Sequence, residues 1–191
     1  KNLGVILSTI NNRGPDSSGF YEDHNCNLLF GHTRLSIIDL SNHGSQPMIS
    51  RSKNYIISFN GEIYNHAELR DNLISKNISF KGESDTESLI EHISHFGLTY
   101  TLNKIRGMFA FSLYDKKNDQ VFLIRDKFGE KPLYYYNYKN TLYFSSSLET
   151  FKKIPNLKLK IDKNALNIFL KRGYIPNSKT IYENIFKVEK S

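Results

Sequence analysis

The sequence is poor in features that mark several classes of protein. Its 191 residues contain one cysteine, Cys26, and no tryptophan. A single cysteine excludes an internal disulfide and favours a reducing setting. No apolar run approaches the roughly 18 residues of a membrane-spanning helix, and the N-terminus lacks the charged and apolar regions of a signal peptide. We therefore expect a cytoplasmic protein that makes no contact with a membrane.

The chain carries a net charge of +7, which raises the question of whether it binds nucleic acid. Proteins that bind nucleic acid gather their basic residues on one face or in one run. Here 19 of the 26 basic residues are lysines, scattered singly or in pairs. We expect a lysine-rich surface and no nucleic-acid partner. The hydrophobic fraction of 39% is typical of a globular domain with a core.

Short runs of strand-forming residues recur along the chain, and turn signals separate the later ones. The close spacing of the last four predicts antiparallel hairpins. The predicted strands cover residues 28–38, 54–59, 108–115, 120–126, 133–138 and 141–146.

Helix signals lie between and after these runs. Asn65 with Glu68, and Ser84 with Glu87, have the spacing of capping boxes. A third helix is predicted over residues 162–172. Strands on both sides of a helical pair favour an α+β fold, with antiparallel sheets covered by helices.

Histidines are the residues most often considered as metal ligands, and three of the six lie inside polar motifs: His32, His43 and His66. None forms a pair with convincing metal-ligand spacing to carboxylates. We expect no metal site and assign these histidines to packing and caps.

Polar residues cluster at the ends of predicted elements. The run over 54–59 is predicted to end before Asn60, Gly61 and Glu62, residues that strands disfavour. Asn60 and the Gly61 N–H could direct two donors at an oxyanion. Arg34 offers a planar fork for a carboxylate, and Glu62 and Asp85 could hold an ammonium group. This set suits an amino acid, although a structural ion-pair network is an open alternative.

Seven motifs occur in the order and spacing of a known family. They are RGPDSSGFY, GHTRLSIIDLS, GSQPM, FNGEIYNHAELR, SDTESLI, RGMFAFSLYD and RDKFGEKPLYY. Over residues 9–150 the chain resembles class II glutamine amidotransferases, and in particular the glutaminase domain of glutamine-hydrolysing asparagine synthetases.

The resemblance implies a fold and a domain organisation. The family fold is the N-terminal-nucleophile αββα sandwich, here without its first strand. Residues 1–150 would form a glutaminase domain truncated at its N-terminus. Residues 151–191 would form a linker and the start of a synthetase domain. The glutaminase domain needs no cofactor, whereas ATP and Mg would act in the synthetase domain of the same polypeptide. A homodimer is left open.

The resemblance also implies roles for the clustered polar residues, with L-glutamine as the ligand. Arg34 would bind the substrate α-carboxylate, and Asn60 and Gly61 would form the oxyanion hole. Glu62 and Asp85 would receive the α-amino group. The RGPD motif would brace the loop beside the pocket. Backbone groups of the residues after Arg34 would line the pocket: Leu35, Ser36, Ile37 and Ile38.

One departure from the family concerns the nucleophile, a cysteine at the mature N-terminus. Cys26 lies in the polar stretch EDHNCN and has no free α-amino group to act as base. We expect this chain alone to be inactive. The acceptor of the ammonia is open: aspartate is the default, and a sugar carboxylate in surface-polysaccharide synthesis is the alternative. A non-catalytic glutamine-binding or interaction module is a further alternative.

Overall fold

Our computed structural model describes residues 3–190. This part of the chain contains six α-helices and nine strands, and the strands form three antiparallel sheets. The strands are β1 Ser17–Asp23, β2 Leu28–Arg34, β3 Met48–Ile49, β4 Tyr55–Ile63, β5 Gly107–Asp115, β6 Gln120–Arg125, β7 Tyr134–Tyr138, β8 Thr141–Ser145 and β9 Phe186–Lys187. The helices are α1 Leu3–Ser8, α2 His66–Ile74, α3 Asp85–Phe96, α4 Leu98–Leu102, α5 Leu148–Phe151 and α6 Lys163–Arg172.

The largest sheet has the strand order β3-β4-β5-β6, and its inner face packs on helices. Alternate residues of β4, including Phe59 and Ile63, point to that face. They join Leu89 and Ile93 of α3 and Leu69 of α2 in a buried cluster. This apolar layer fixes α2 and α3 against β4.

The opposite face of the same sheet packs on the two smaller sheets, β1-β2 and β8-β7-β9. Ile56 and Tyr114 bury against Phe30 of β2, and Ala110 buries against Leu133, which precedes β7. Helix α1 contacts β2, and α5 contacts β8, on the outside. The layers therefore run helix, sheet, sheet, helix, which confirms the predicted α+β class.

The elements with strong local signals are those that the sequence predicts. Hairpins β5–β6 and β7–β8 form, although β6 and β7 lie in different sheets. Ser84 caps α3, since its hydroxyl accepts a hydrogen bond of 3.1 Å from the Glu87 N–H. Gly97 ends α3 with a φ of 86° and donates to Ile93. Helix α6 begins one residue after its cap, Asp162.

The predicted capping box at Asn65 does not form. Asn65 makes no side-chain cap on α2. Its side-chain oxygen accepts from the Arg106 N–H at 2.8 Å, and its amide donates to the Lys104 carbonyl at 3.1 Å. The long-range contact with the segment before β5 replaces the local cap.

The predicted end of the strand before Asn60 is also wrong. Strand β4 continues through Asn60, Gly61 and Glu62 to Ile63, paired with β5 throughout. Residues with poor strand propensity are tolerated here because a neighbouring strand and two helices fix the backbone.

Residues after 150 complete the third sheet, since β9 pairs with β7. Their assignment to a linker and the start of a synthetase domain stays a prediction. Within residues 3–190 no helix is long and apolar enough to cross a membrane.

Candidate active site

Asn60 lies on the face of β4 that looks away from the helices, at the wall of a cavity of about 420 Å³. Residues of β2, β5 and β8 also line this cavity. The Nδ2 atom of Asn60 is buried and has no hydrogen-bond partner among the described residues. A buried amide without a partner costs about 1–3 kcal/mol, so it points to a ligand that would accept its hydrogen bond.

Gly61 is required at its position by the neighbouring strand. A Cβ there would clash with the backbone of Met108 and Phe109 on β5, and the φ of 153° disfavours other residues. The absence of a side chain thus lets β4 and β5 pair closely beside Asn60. Any L-side chain here would therefore displace the backbone beside Asn60.

Asp85 begins α3 and is bound directly to β4. Its carboxylate accepts a 3.0 Å hydrogen bond from the Ile63 N–H, next to Glu62. Burial raises the pKa of Asp85, and the nearby Glu62 adds to that rise, against the backbone N–H groups of Ile63 and Thr86. The structure thus brings the carboxyl groups of Asp85 and Glu62 near each other, and their role as a site for an ammonium group stays a prediction.

Arg34 is buried at the end of β2, with only 8% of its surface exposed. Its guanidinium donates to the backbone carbonyls of Ser41, at 2.8 Å, and Asp39. Gly44 packs against the guanidinium, and a Cβ there would clash with it. Because a guanidinium carries five N–H donors, these two bonds leave donors for a carboxylate.

A chain of hydrogen bonds connects Arg34 to the acidic end of the site. The backbone carbonyl of Asp39 accepts a hydrogen bond from Arg34. The side-chain carboxylate of Asp39 accepts a 2.8 Å hydrogen bond from the Glu83 N–H. Glu83 lies two residues before Asp85. Burial opposes ionisation of Asp39, but bonds from Ser41 and Glu83 outweigh it and lower the pKa. Hydrogen bonds therefore connect the loop that holds Arg34 to the start of α3, where Asp85 lies.

The loop after Arg34 is held by the RGPD motif. The Asp16 carboxylate accepts a 2.7 Å hydrogen bond from the Ser36 N–H, and the Asp16 N–H donates to the Arg34 carbonyl at 3.0 Å. Gly14 lies against the Thr33 backbone, where a Cβ would clash. The side chains of Leu35, Ile37 and Ile38 are exposed, and none of residues 35–38 lines the cavity beside Asn60.

His32 also lines the cavity, next to the strand that carries Asn60. Its Nε2 lies 3.0 Å from the Phe59 carbonyl, and its Nδ1 is buried without a partner among the described residues. The pKa of His32 is lowered to about 4, mainly by burial; the Phe59 carbonyl opposes this fall and the charge of Arg34 adds to it. The ring is neutral at pH 7, with Nε2–H donating to Phe59 and Nδ1 an acceptor.

Two bracing residues escaped the sequence reasoning because their contacts are distant along the chain. The Gln46 side chain accepts from the Phe59 N–H at 2.7 Å and reaches Thr86 on α3 at 3.4 Å. Asp39 braces the segment before α3. Both lie inside motifs that carry the family resemblance, which was the signal available to find them.

Asp126, in the motif RDKFGEKPLYY, behaves as a structural residue. Its buried carboxylate accepts hydrogen bonds from four backbone N–H groups: Phe109, Phe128, Glu130 and Lys131. Burial opposes its ionisation, but these bonds prevail and lower the pKa.

Cys26 lies in the turn between β1 and β2. Its sulfur accepts a 3.3 Å hydrogen bond from the Tyr114 hydroxyl. Tyr114 lies four residues along β5 from Ala110, the strand partner of Asn60. Four strand residues span roughly 13 Å, so the thiol is remote from Asn60. Within the described residues, no group of three or more potential ligands could hold a metal.

Most of the chain is similar in sequence to proteins of known name. The chain is 40% identical over 177 residues to glutamine-hydrolysing asparagine synthetase 1 of Bacillus subtilis, covering 93% of this chain and 27% of that protein. It is 33% identical to asparagine synthetase 3 of the same organism, covering 95% and 29%. The chain thus spans less than a third of these two relatives.

A solved structure shares the fold. Glutamine phosphoribosylpyrophosphate amidotransferase of Bacillus subtilis superposes with a TM-score of 0.65 at 18% identity, over 77% of this chain and 39% of that one. The sandwich predicted from the sequence is therefore the N-terminal-nucleophile amidotransferase fold. The sequence model of the glutamine amidotransferase domain matches residues 1–191. The chain belongs to the glutamine amidotransferase domain family.

Proposed function

We propose that this chain is the glutamine-binding and glutamine-hydrolysing domain of an asparagine synthetase-like amidotransferase. The observation that carries the proposal is the buried Asn60 amide, which has no partner among the described residues and lies at a cavity wall. A donor held in place without an acceptor suits an oxyanion that exists only during reaction.

The other candidate residues, Arg34, Glu62 and Asp85, suit the remaining parts of L-glutamine. Arg34 pairs with the α-carboxylate through its remaining N–H donors, and backbone groups of 35–38 line the pocket. Glu62 and Asp85 receive the α-amino group. The side-chain amide of glutamine then lies against Asn60 and Gly61. Because the α-carboxylate and the α-amino group of glutamine share one carbon, Arg34 and the two acids would hold that end of the substrate and so orient its side-chain amide.

The reaction needs a thiolate that attacks the side-chain amide carbon. The Asn60 amide and the Gly61 N–H stabilise the resulting oxyanion. On collapse the leaving nitrogen takes back, from the base, the proton removed from the thiol and departs as ammonia, which leaves a thioester. Water then hydrolyses the thioester to glutamate and the free thiol. Since Cys26 is remote, we propose that the thiol belongs to a residue outside the 191 considered, at a mature N-terminus whose α-amine is the base.

The released ammonia would be used elsewhere in the longer protein. We propose that it amidates a carboxylate activated with ATP and Mg in a synthetase domain, with aspartate as the default acceptor and a sugar carboxylate as the alternative. Both relatives described above are named as glutamine-hydrolysing asparagine synthetases. Amidation assays of the full gene product with each acceptor would decide between the two.

Replacement of Arg34 by alanine should raise the KM for glutamine by about 10- to 100-fold. A guanidinium–carboxylate pair in a partly dry pocket contributes roughly 1.5–3 kcal/mol, and about 1.4 kcal/mol corresponds to a factor of ten. The measurement is steady-state glutaminase kinetics of the intact enzyme. An unchanged KM would eliminate the carboxylate role.

Arg34 also holds the backbone of Asp39 and Ser41, so a control must separate binding from loop support. 4-Aminobutanamide is glutamine without its α-carboxylate. The wild type should discriminate strongly between the two compounds, and Arg34→Ala should lose that discrimination. A variant with a disturbed loop but intact carboxylate recognition would keep it.

Glutamine affinity should fall as the pH falls through the raised pKa of Asp85. Burial raises that pKa, so the carboxyl group of the empty site protonates at a higher pH than an exposed aspartate does. The charge that attracts an α-ammonium group is thus fully present above the raised pKa and lost below it. Binding measured by calorimetry across this range should show the loss, accompanied by proton release.

Asp85→Asn is the matched variant, because it keeps the size of the side chain and cannot titrate. It should bind glutamine weakly at every pH, without the acidic fall. Glutaramate, which is glutamine without its α-amino group, should show no such fall even with the wild type. A pH profile that is identical in Asp85→Asn would assign the titration to another group.

A further inference from the structure

Helix α6 is complete and capped at both ends, although it lies near the end of the described residues. The Asp162 carboxylate accepts hydrogen bonds of 2.8 and 3.0 Å from the N–H groups of Asn164 and Ala165. Gly173 ends the helix with a φ of 76° and donates to Phe169 at 2.7 Å. The conformation of α6 is therefore set by its own sequence.

One face of α6 is apolar and largely uncovered. Phe169 and Leu170 follow Leu166 by three and four residues, so the three lie on one side of the helix; we call them the α6 face. Phe169 is 46% exposed and Leu170 is 72% exposed. Tyr174, just past the C-terminal cap, is 57% exposed.

The α6 face takes no part in the cores of the domain. None of the four hydrophobic clusters found among residues 3–190 includes a side chain of α6. Ala165 is the one residue of α6 that is buried. A capped amphipathic helix that leaves its apolar side in water is typical of a surface that another unit covers.

We propose that the α6 face docks onto the synthetase domain of the same polypeptide. The inference rests on the proposed function, and the length of the relatives supports it. The chain covers 27% and 29% of the two asparagine synthetases described above, so most of each lies outside the matched stretch. A domain tethered to this one meets the α6 face at a high effective concentration.

The charges beside the α6 face indicate what the docking surface carries. Lys163, Lys171 and Arg172 are exposed on the same helix, and α6 has no acidic residue. We therefore expect an apolar groove with an acidic rim on the synthetase domain.

Hydrogen exchange of the α6 amides tests the proposal without reference to catalysis. In the full gene product, amides of 163–172 should exchange about tenfold more slowly, or slower still, than in the 191-residue chain. Leu170→Glu in the full protein should abolish that difference. Asn164→Glu is the matched control, because it places the same side chain on the opposite side of α6, and it should keep the protection.

Equal exchange in the two proteins, or protection that survives Leu170→Glu, would overturn the docking surface. Protection in the 191-residue chain that grows with its concentration would identify a second copy as the occupant instead, and would also overturn the proposal. Loss of glutamine hydrolysis with α6 protection intact would count against the proposed function alone.

Discussion

Asn60→Ala is expected to lower kcat for glutamine hydrolysis by about 10²–10³ in the intact enzyme, which is the effect of removing one oxyanion donor. The KM should change much less, because the donor acts mainly in the transition state. The buried Nδ2 atom has no hydrogen-bond partner among the described residues, so no hydrogen bond of this donor within them is lost. A risen KM with an unchanged kcat would make Asn60 a ground-state binding residue.

The same substitution should leave the folded domain as stable as before or more stable. Removing a buried donor that has no partner relieves a cost of about 1–3 kcal/mol. Asn65 is the matched contrast, since its side chain bonds to Arg106 and Lys104. Asn65→Ala should therefore lower Tm where Asn60→Ala does not. Thermal unfolding of both variants checks this contrast, and a large fall in Tm for Asn60→Ala would show that its amide is already used.

The parts of the fold that could be predicted depend on nearby residues. Ser84 caps α3 and Gly97 ends it through contacts within four residues, so the pattern was sufficient. Asn65 has the same capping-box spacing, but the cap does not form, because its side-chain amide makes hydrogen bonds with a segment about forty residues away. Strand β4 extends past Asn60 for the related reason that β5 pairs with it.

The candidate site divides in the same way. Residue types and motifs were enough to name Arg34, Asn60 and Asp85 as candidates. They could not reveal that Asp39 connects Arg34 to the segment of Asp85, because that connection depends on folding. They also could not reveal that the guanidinium of Arg34 donates two hydrogen bonds to backbone carbonyls of its own loop. The lining of the cavity by strands of different sheets has no local signature either.

The second large effect concerns the thiol, and it tests the central claim of glutamine hydrolysis. The proposed mechanism needs a thiolate and an α-amine on one residue, since an α-amine with a pKa of about 7.7–8.0 can act as base near neutrality. Lys1 has no thiol. Cys26 has one, but its sulfur accepts a hydrogen bond from Tyr114 and lies remote from Asn60. The 191-residue chain should therefore hydrolyse no glutamine, although it contains the residues that we propose to bind the substrate.

Glutamate release is the decisive measurement, made on the 191-residue chain and on a protein extended upstream to a processed N-terminal cysteine. We expect turnover only in the extended protein, abolished when that cysteine becomes alanine and retained in the Cys26→Ala variant. Sustained turnover by the 191-residue chain, or loss of activity in the extended Cys26→Ala variant, would contradict the account.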